Sequence, residues 1–379
     1  MRRLLFDCRV VSERIDGLGR YALGLAGSLA RSPRGYEITF IVPPSLSADH
    51  PLRTISSIPG ARAISSDIPM MRVSSHLRMA SVYRAHASDL YHYPHFNLPI
   101  TAPAPAVVTI HDATPFVYPQ FFGRQRRLKR AYFWLSTAFS IARSAAIIVP
   151  SRASADALLE RFAIRRGRLH VVPEGVDPVF SLGVNDADLA ATRARYGITG
   201  PFLLYVGTSR PHKNLMSLFR AFARIAPDVP HELLIAGQPI GEVRELDALV
   251  RKLGIAPRIR RLGYLPDLEV RRLYRLADAA VTCSLFEGFG LGVLEAMASG
   301  TPVVASAASA AGEVAGDAAV TVDPTSVDDI AAGLRRVCTD ATLRASLRDR
   351  GSVRAALFTW ARAGEMTLDV YDAVLSALA

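Results

Sequence analysis

The chain has 379 residues, half of them hydrophobic, with a net charge of +11 and three cysteines. That length favours two cores over one, and the apolar fraction excludes an intrinsically disordered chain. Cys8, Cys283 and Cys338 are odd in number and far apart, which argues against a disulfide framework or a cysteine metal site and for a reducing compartment. The charge is almost all arginine, with lysine only at Lys129, Lys213 and Lys252, and alone it fits nucleic acid, anionic lipid or phosphorylated substrates.

The first apolar run ends at Asp7 and Arg9, too early for a signal peptide. It predicts a strand over Arg3–Cys8. Gly17-Leu-Gly19-Arg20-Tyr21 then opens a helix reaching Ala30, and its amides could face a phosphate or an acceptor. This is a partial glycine fingerprint. Glu37, at the offset of a ribose-binding acid, precedes a strand instead of ending one, so a dehydrogenase is not indicated.

Further strands are predicted over Ile38–Val42, Leu90–Tyr93, Ala106–Ile110 and Ala145–Val149. His111-Asp112 falls at the end of one of them. A turn histidine is the plain reading; in a cleft, His111 could bond a substrate hydroxyl or stabilise a reacting centre. A helix over Gly123–Ala142 begins with the basic stretch Arg124, Arg126, Arg127, Lys129 and Arg130, followed by Tyr132, Phe133 and Trp134. A core helix with a solvated first turn competes there with contact to an anionic membrane surface. No nucleic-acid-binding module surrounds the patch. The apolar stretch from Ala131 to Ala142 is about half of a membrane span. After a helix over Ser154–Phe162 comes the turn-rich segment Val171-Val-Pro-Glu-Gly-Val-Asp177 and a polar stretch to Gly200, within which the domain boundary is expected near residues 178–200.

A second series of strands follows at Phe202–Val206, Leu233–Ala236, Ile259–Leu262, Ala279–Cys283, Pro302–Ala305 and Ala319–Val322. The alternation of short β runs with helices predicts two doubly wound parallel sheets, with ligands outside the carboxyl ends of the strands, in a cleft between facing domains. The expected division is 1–185 and 195–358, with a last helix at 360–379 packing back on the first domain.

Two segments carry the chemistry. Gly207-Thr-Ser-Arg210-Pro-His-Lys213 puts a forked and a point cation just after a strand, which suits a diphosphate; alone, a solvated basic loop explains it equally well. Glu287-Gly-Phe-Gly-Leu-Gly-Val-Leu-Glu295 spaces two acids across a glycine-rich loop that opens a helix. Uncovered amides at Gly288, Gly290 and Gly292 make an anion site, and the flanking carboxylates can accept bonds from sugar hydroxyls. The two segments together describe a nucleotide-sugar pocket.

These residues, with Asp7–Arg9, Gly17–Tyr21, His111-Asp112 and Trp360, resemble the large retaining glycosyltransferase family with the GT-B fold, often called family four. The resemblance runs nearly the whole chain and rests on the two glutamates separated by seven residues. It implies that Arg210 and Lys213 hold the donor diphosphate, Glu295 the ribose and Glu287 the transferred sugar. Amides around Gly288, Phe289, Gly290 and Leu291 complete those contacts. Tyr264 and Leu265 meet the base, His111 stands near the donor sugar, and Gly17, Gly19, Arg20, Tyr21 and Asp112 lie on the acceptor side.

In the subgroup it resembles most, of bacterial surface polysaccharide and lipopolysaccharide mannosyltransferases, the donor is a nucleotide diphosphate sugar, GDP-mannose first, and the acceptor a lipid-linked saccharide. The family needs neither cofactor nor metal, and its seat is cytoplasmic or peripheral on the inner face of the cell membrane. A nucleotide-sugar epimerase or hydrolase of the same fold, and a non-catalytic binding protein with a basic surface, are the rival readings. Two departures stand out: Gly292 where proline is usual, and Gly312 in place of proline before Glu313.

Overall fold

The computed structural model describes the chain except residues 14, 71, 73, 123–126, 241–242 and 379, and the side chains of Phe122, Arg127 and Lys129. It divides into two compact units: Met1–Gly175 with Phe358–Ala379, and Val176–Leu357.

The first unit holds seven strands: β1 (Arg2–Asp7), β2 (Tyr36–Val42), β3 (Ala61–Ser65), β4 (Leu90–Tyr93), β5 (Ala106–Thr109), β6 (Ala146–Val149) and β7 (Leu169–Val171). All pair in parallel in the order β3-β2-β1-β4-β5-β6-β7. Every residue of β4, β5 and β6 is buried, as expected of parallel strands covered by helices on both faces. The second unit holds β8 (Phe202–Val206), β9 (Glu232–Ala236), β10 (Ile259–Gly263), β11 (Ala279–Thr282), β12 (Val303–Ser306) and β13 (Val320–Val322), in the order β10-β9-β8-β11-β12-β13. In each sheet the winding reverses at one place, β1 beside β4 and β8 beside β11. Open α/β sheets bind ligands beyond the strand ends at such a point.

The division at Gly175 falls earlier than residues 178–200, for a packing reason. Phe180 is buried against Tyr274 with ring centroids 6.3 Å apart, and Arg271 donates to the Val179 carbonyl at 3.0 Å. Tyr196, which ends the helix Asp186–Arg195, donates to Glu269 at 3.1 Å. The turn and helix after Gly175 therefore complete the second core.

The last helix, Trp360–Ser376, is part of the first unit. Thr359 caps it, accepting from the Arg362 amide. The Trp360 indole lies over Gly24 so closely that a Cβ there would come within 2.2 Å of it. Only glycine lets the helices Gly17–Ala30 and Trp360–Ser376 approach this far.

Candidate functional site

In the second unit, β8 runs into Arg210, which is exposed, and then the short 3-10 turn Pro211–Lys213. Asn214 ends that turn in the left-handed region (φ 58°), a conformation asparagine tolerates. Its side-chain amide donates to the carbonyls of Cys283 at 3.0 Å and Pro324 at 2.7 Å, and the Leu285 backbone amide donates to the His212 carbonyl at 2.8 Å. The basic turn is thus tied to the loop after β11, the neighbouring strand.

That tie brings Lys213 to Glu287. The Lys213 ammonium donates to both carboxylate oxygens, at 2.7 and 2.8 Å, and the Ser284 hydroxyl donates to one of them at 2.6 Å. The Glu287 amide donates to the Ser309 hydroxyl at 2.9 Å. Burial pushes the Glu287 carboxyl up. The Lys213 charge, the bonds from Lys213 and Ser284 and the charge of His212 outweigh it, so the group lies below the ordinary carboxylate value. The pair is little exposed, 24% at Lys213 and 15% at Glu287, which makes its breaking costly unless a new anion replaces the carboxylate.

Gly290, left-handed at φ 112°, opens the helix Leu291–Ala298. Glu295 lies inside that helix and is buried, as is Phe289, while Gly288 and Leu291 are partly exposed. Tyr264, half-exposed, and Leu265 directly follow β10. Of the two departures from the family pattern, Gly292 has no atom nearer than 3.9 Å to a notional Cβ. At Gly312 that Cβ would stand 2.6 Å from the Ala307 carbonyl oxygen. Gly312 is therefore held by close backbone packing and does not loosen the loop.

In the first unit, His111 follows β5 and has partners at both ring nitrogens: Glu174 Oε1 at 3.0 Å from Nδ1, and the Pro94 carbonyl at 3.2 Å from Nε2. Tyr21 meets the ring edge-on, centroids 4.3 Å apart. A buried chain backs this arrangement. The Tyr21 hydroxyl bonds the Thr109 hydroxyl at 2.9 Å, Thr109 bonds His92 Nε2 at 2.8 Å, and His92 Nδ1 bonds the Tyr371 hydroxyl of the last helix. Burial, with the nearby His111, lowers His92 to about 3. Burial likewise lowers His95 to about 4, against the Asn97 bond, so both rings are neutral near pH 7.

Three residues expected on the acceptor side have partners within the first unit. Tyr21 is fully buried under His111. The amide of Gly19 donates to the Asp16 carboxylate at 2.8 Å and that of Arg20 to the Asp16 carbonyl at 2.8 Å, so an acid already occupies this helix start. Arg20 is buried. Gly17 lies at the first position of the helix, and the exposed Asp112 accepts from the Thr114 amide at 2.7 Å and shapes the turn. Asp7 and Arg9 form a buried forked pair, with Arg9 also donating to the Ile68 carbonyl at 2.7 Å.

Glu174 escaped the sequence reading because it lay in a stretch that reads as turn. Its signal was a lone acid just after a short apolar run. In the basic patch, Arg124 and Arg126 fall outside the described residues, and so do the side chains of Arg127 and Lys129. Arg130 is exposed, and so are Leu128 (87%), Trp134 (50%) and Leu135 (61%) of the helix Arg127–Arg143. Among the described residues no helix is long and apolar enough to cross a membrane.

Residues 15–180 match the family model described as Glycosyltransferase Family 4, and residues 191–354 the model described as Glycosyl transferases group 1. The chain is 27% identical over 390 residues to O-antigen chain mannosyltransferase B of Escherichia coli, covering 97% of this chain and 99% of that one. It is 31% identical over 288 residues to MMP alpha-(1->4)-mannosyltransferase of Mycolicibacterium hassiacum, covering 73% of this chain and 67% of that one. Among solved structures, sucrose-phosphate synthase from Thermosynechococcus elongatus matches over the full length of both chains, with a TM-score of 0.77 at 21% identity. Two parallel-sheet α/β domains of this kind define the GT-B fold, and the enzyme class is glycosyltransferase. The chain belongs to the group 1 glycosyltransferases.

Proposed function

We propose that this enzyme transfers mannose, with retained configuration, from GDP-mannose to a lipid-linked saccharide during assembly of a bacterial surface polysaccharide. The observation that carries the donor half is the Lys213–Glu287 pair. Lys213 spends two of its three donors on Glu287, and the exposed Arg210 stands three residues before it. An incoming diphosphate competes for the ammonium and frees the Glu287 carboxylate to accept from sugar hydroxyls. Lys213 and Arg210 then neutralise the leaving diphosphate, the task a metal performs elsewhere. Glu295 takes the ribose, Tyr264 and Leu265 the base, and amides around Gly288, Phe289, Gly290 and Leu291 the remaining phosphate and sugar oxygens. His111 bonds the sugar being moved, and the loop carrying Gly17, Gly19 and Arg20, with Asp112, lies on the acceptor side.

Mannose and the polysaccharide setting are supported by the names of the two mannosyltransferase relatives, one of which acts on O-antigen chains. Exposed Leu128, Trp134 and Leu135 beside Arg130 support a peripheral seat of the helix Arg127–Arg143 on anionic lipid. A thermal-shift panel of nucleoside diphosphates and their sugars tests the donor. Selective stabilisation by GDP compounds is expected, and a preference for UDP compounds overturns it. Product analysis without acceptor separates transfer from epimerisation, since an epimerase releases a changed nucleotide sugar and a transferase does not.

A further inference from the structure

Three strands that are neighbours in the second sheet, β8, β11 and β12, each lead into a loop that reaches the same place. The first loop brings Lys213, the second Glu287, and the third Ser309, at the start of the helix Ser309–Ala315. Lys213 holds the Glu287 side chain. Ser309 holds its main chain, the hydroxyl accepting from the Glu287 backbone amide at 2.9 Å.

Ser309 has a strained backbone. Among the described residues, two that are not glycine sit at positive φ, Asn214 at 58° and Ser309 at 61°. Both belong to this site, since Asn214 follows Lys213 and ties its turn to the loop after β11. Asparagine tolerates the left-handed region through its short polar side chain; serine is not favoured there. Residues kept in such conformations cluster at functional sites. Glycine at 309 would remove the strain, and with it the hydroxyl that meets Glu287.

We infer that Ser309 is a positioning residue for Glu287, fixing its main chain while the carboxylate passes from Lys213 to the transferred sugar. This rests on the reading that a donor diphosphate draws Lys213 away. Once it does, two bonds to the carboxylate are gone, and Ser284 remains as its side-chain partner among the described residues. A carboxylate on one bond keeps its place only if its backbone is fixed. Two residues earlier, the Leu285 amide is bound to the His212 carbonyl at 2.8 Å. Three residues later, Gly290 lies against the helix that Ser309 opens, where a Cβ would come 3.2 Å from the Ala311 Cα. The segment 285–290 is thus pinned on both sides, and the pin at Ser309 does not depend on Lys213.

The test compares Ser309→Gly, which relaxes the backbone, with Ser309→Ala, which keeps the strain; both lack the hydroxyl. Amide hydrogen exchange at Glu287 should quicken at least about tenfold in each variant. By calorimetry, affinity for GDP-mannose should fall at least about fivefold in both, while affinity for GDP, which has no sugar, stays within about twofold. Ser309→Gly should melt no lower than Ser309→Ala, because glycine adopts φ 61° freely. Unchanged exchange at Glu287 in Ser309→Gly overturns the inference, and so does wild-type affinity for GDP-mannose in that variant. A loss shared equally by GDP and GDP-mannose also overturns it, since it marks general damage to the fold. Glu287→Gln separates the two levels. Undiminished affinity for GDP-mannose there, or no binding of either compound by wild type, defeats the reading of the donor site, while exchange in the serine variants still decides whether Ser309 holds the Glu287 backbone.

Discussion

Each unit sets a carboxylate against a nitrogen base beyond the carboxyl ends of its parallel strands, yet the two pairs differ in kind. Lys213 and Glu287 come from loops after β8 and β11, strands that are neighbours in the sheet, and the lysine charge is permanent. His111 and Glu174 come from loops after β5 and β7, strands that are not neighbours in the sheet, and meet through one ring nitrogen and one carboxylate oxygen. The first pair suits an anionic ligand that displaces the carboxylate. The second suits a ring that must keep one orientation.

The comparison breaks most visibly at Lys213. Lys213→Ala leaves Glu287 a little-exposed carboxylate without its counter-charge and, on the proposed function, removes a diphosphate contact. Steady-state rates should show kcat/KM falling by roughly 10³-fold, and a loss under tenfold would deny the pair its donor role. Trp360→Ala strikes the other unit, where the indole fills the approach over Gly24. Denaturant titration should report a loss of about 3–5 kcal/mol, typical of a buried tryptophan. Nucleotide binding by the second unit should survive it.

Acid separates the units next. His92 and His95 lie near 3 and 4 in the folded protein, against 6.5 ordinarily. The unfolded chain takes up their protons first, so stability from these rings is full above pH 6.5 and lost as pH falls toward about 3. For His92 alone the limit is on the order of 5 kcal/mol. His92→Gln should flatten the dependence of Tm on pH in that window, and an undiminished slope would assign it elsewhere. Glu287, lowered in the fold, loses its contribution only at more acid pH, below the ordinary carboxylate value of 4.5. A smaller effect is expected from Gly312→Ala, where the new methyl meets the Ala307 carbonyl and costs about 1–3 kcal/mol by thermal melt. Smallest is Arg34→Ala. It removes exposed bridges to Glu365 and Asp369 and should shift stability by less than about 1 kcal/mol.

Legibility in the sequence follows the same divide. All six strands of the second unit, and five of the first, are legible in the sequence, the central ones as apolar runs because they are buried on both faces; the edge strand β10, half-buried with Arg260 and Arg261, is the exception to that pattern. The two that are not legible are β3 and β7, the edges of the first sheet. Ala61–Ser65 alternates half-buried with exposed positions, and Leu169–Val171 is half-buried throughout. In the second unit the glycine-rich spacing of Glu287 and Glu295 and the nearby cations lie in short contiguous segments, so the candidates could be picked out along the chain. What could not be read is that Lys213 grips Glu287 from 74 positions away. In the first unit, Glu174 reaches His111 across 63 positions from a segment that reads as turn, and Tyr21, expected on the acceptor side at a helix start, is buried against His111. Partners brought together by the sheet carry no local periodicity.

The last helix also sets a timetable for synthesis. The second unit is one continuous stretch, Val176–Leu357, and all of it leaves the ribosome before the final segment that completes the first. Until Trp360 and Tyr371 emerge, Gly24 lacks its cover and His92 its hydroxyl partner. The part made first is therefore finished last, and a chain stopped short of residue 358 should carry a folded donor half attached to an unfinished one.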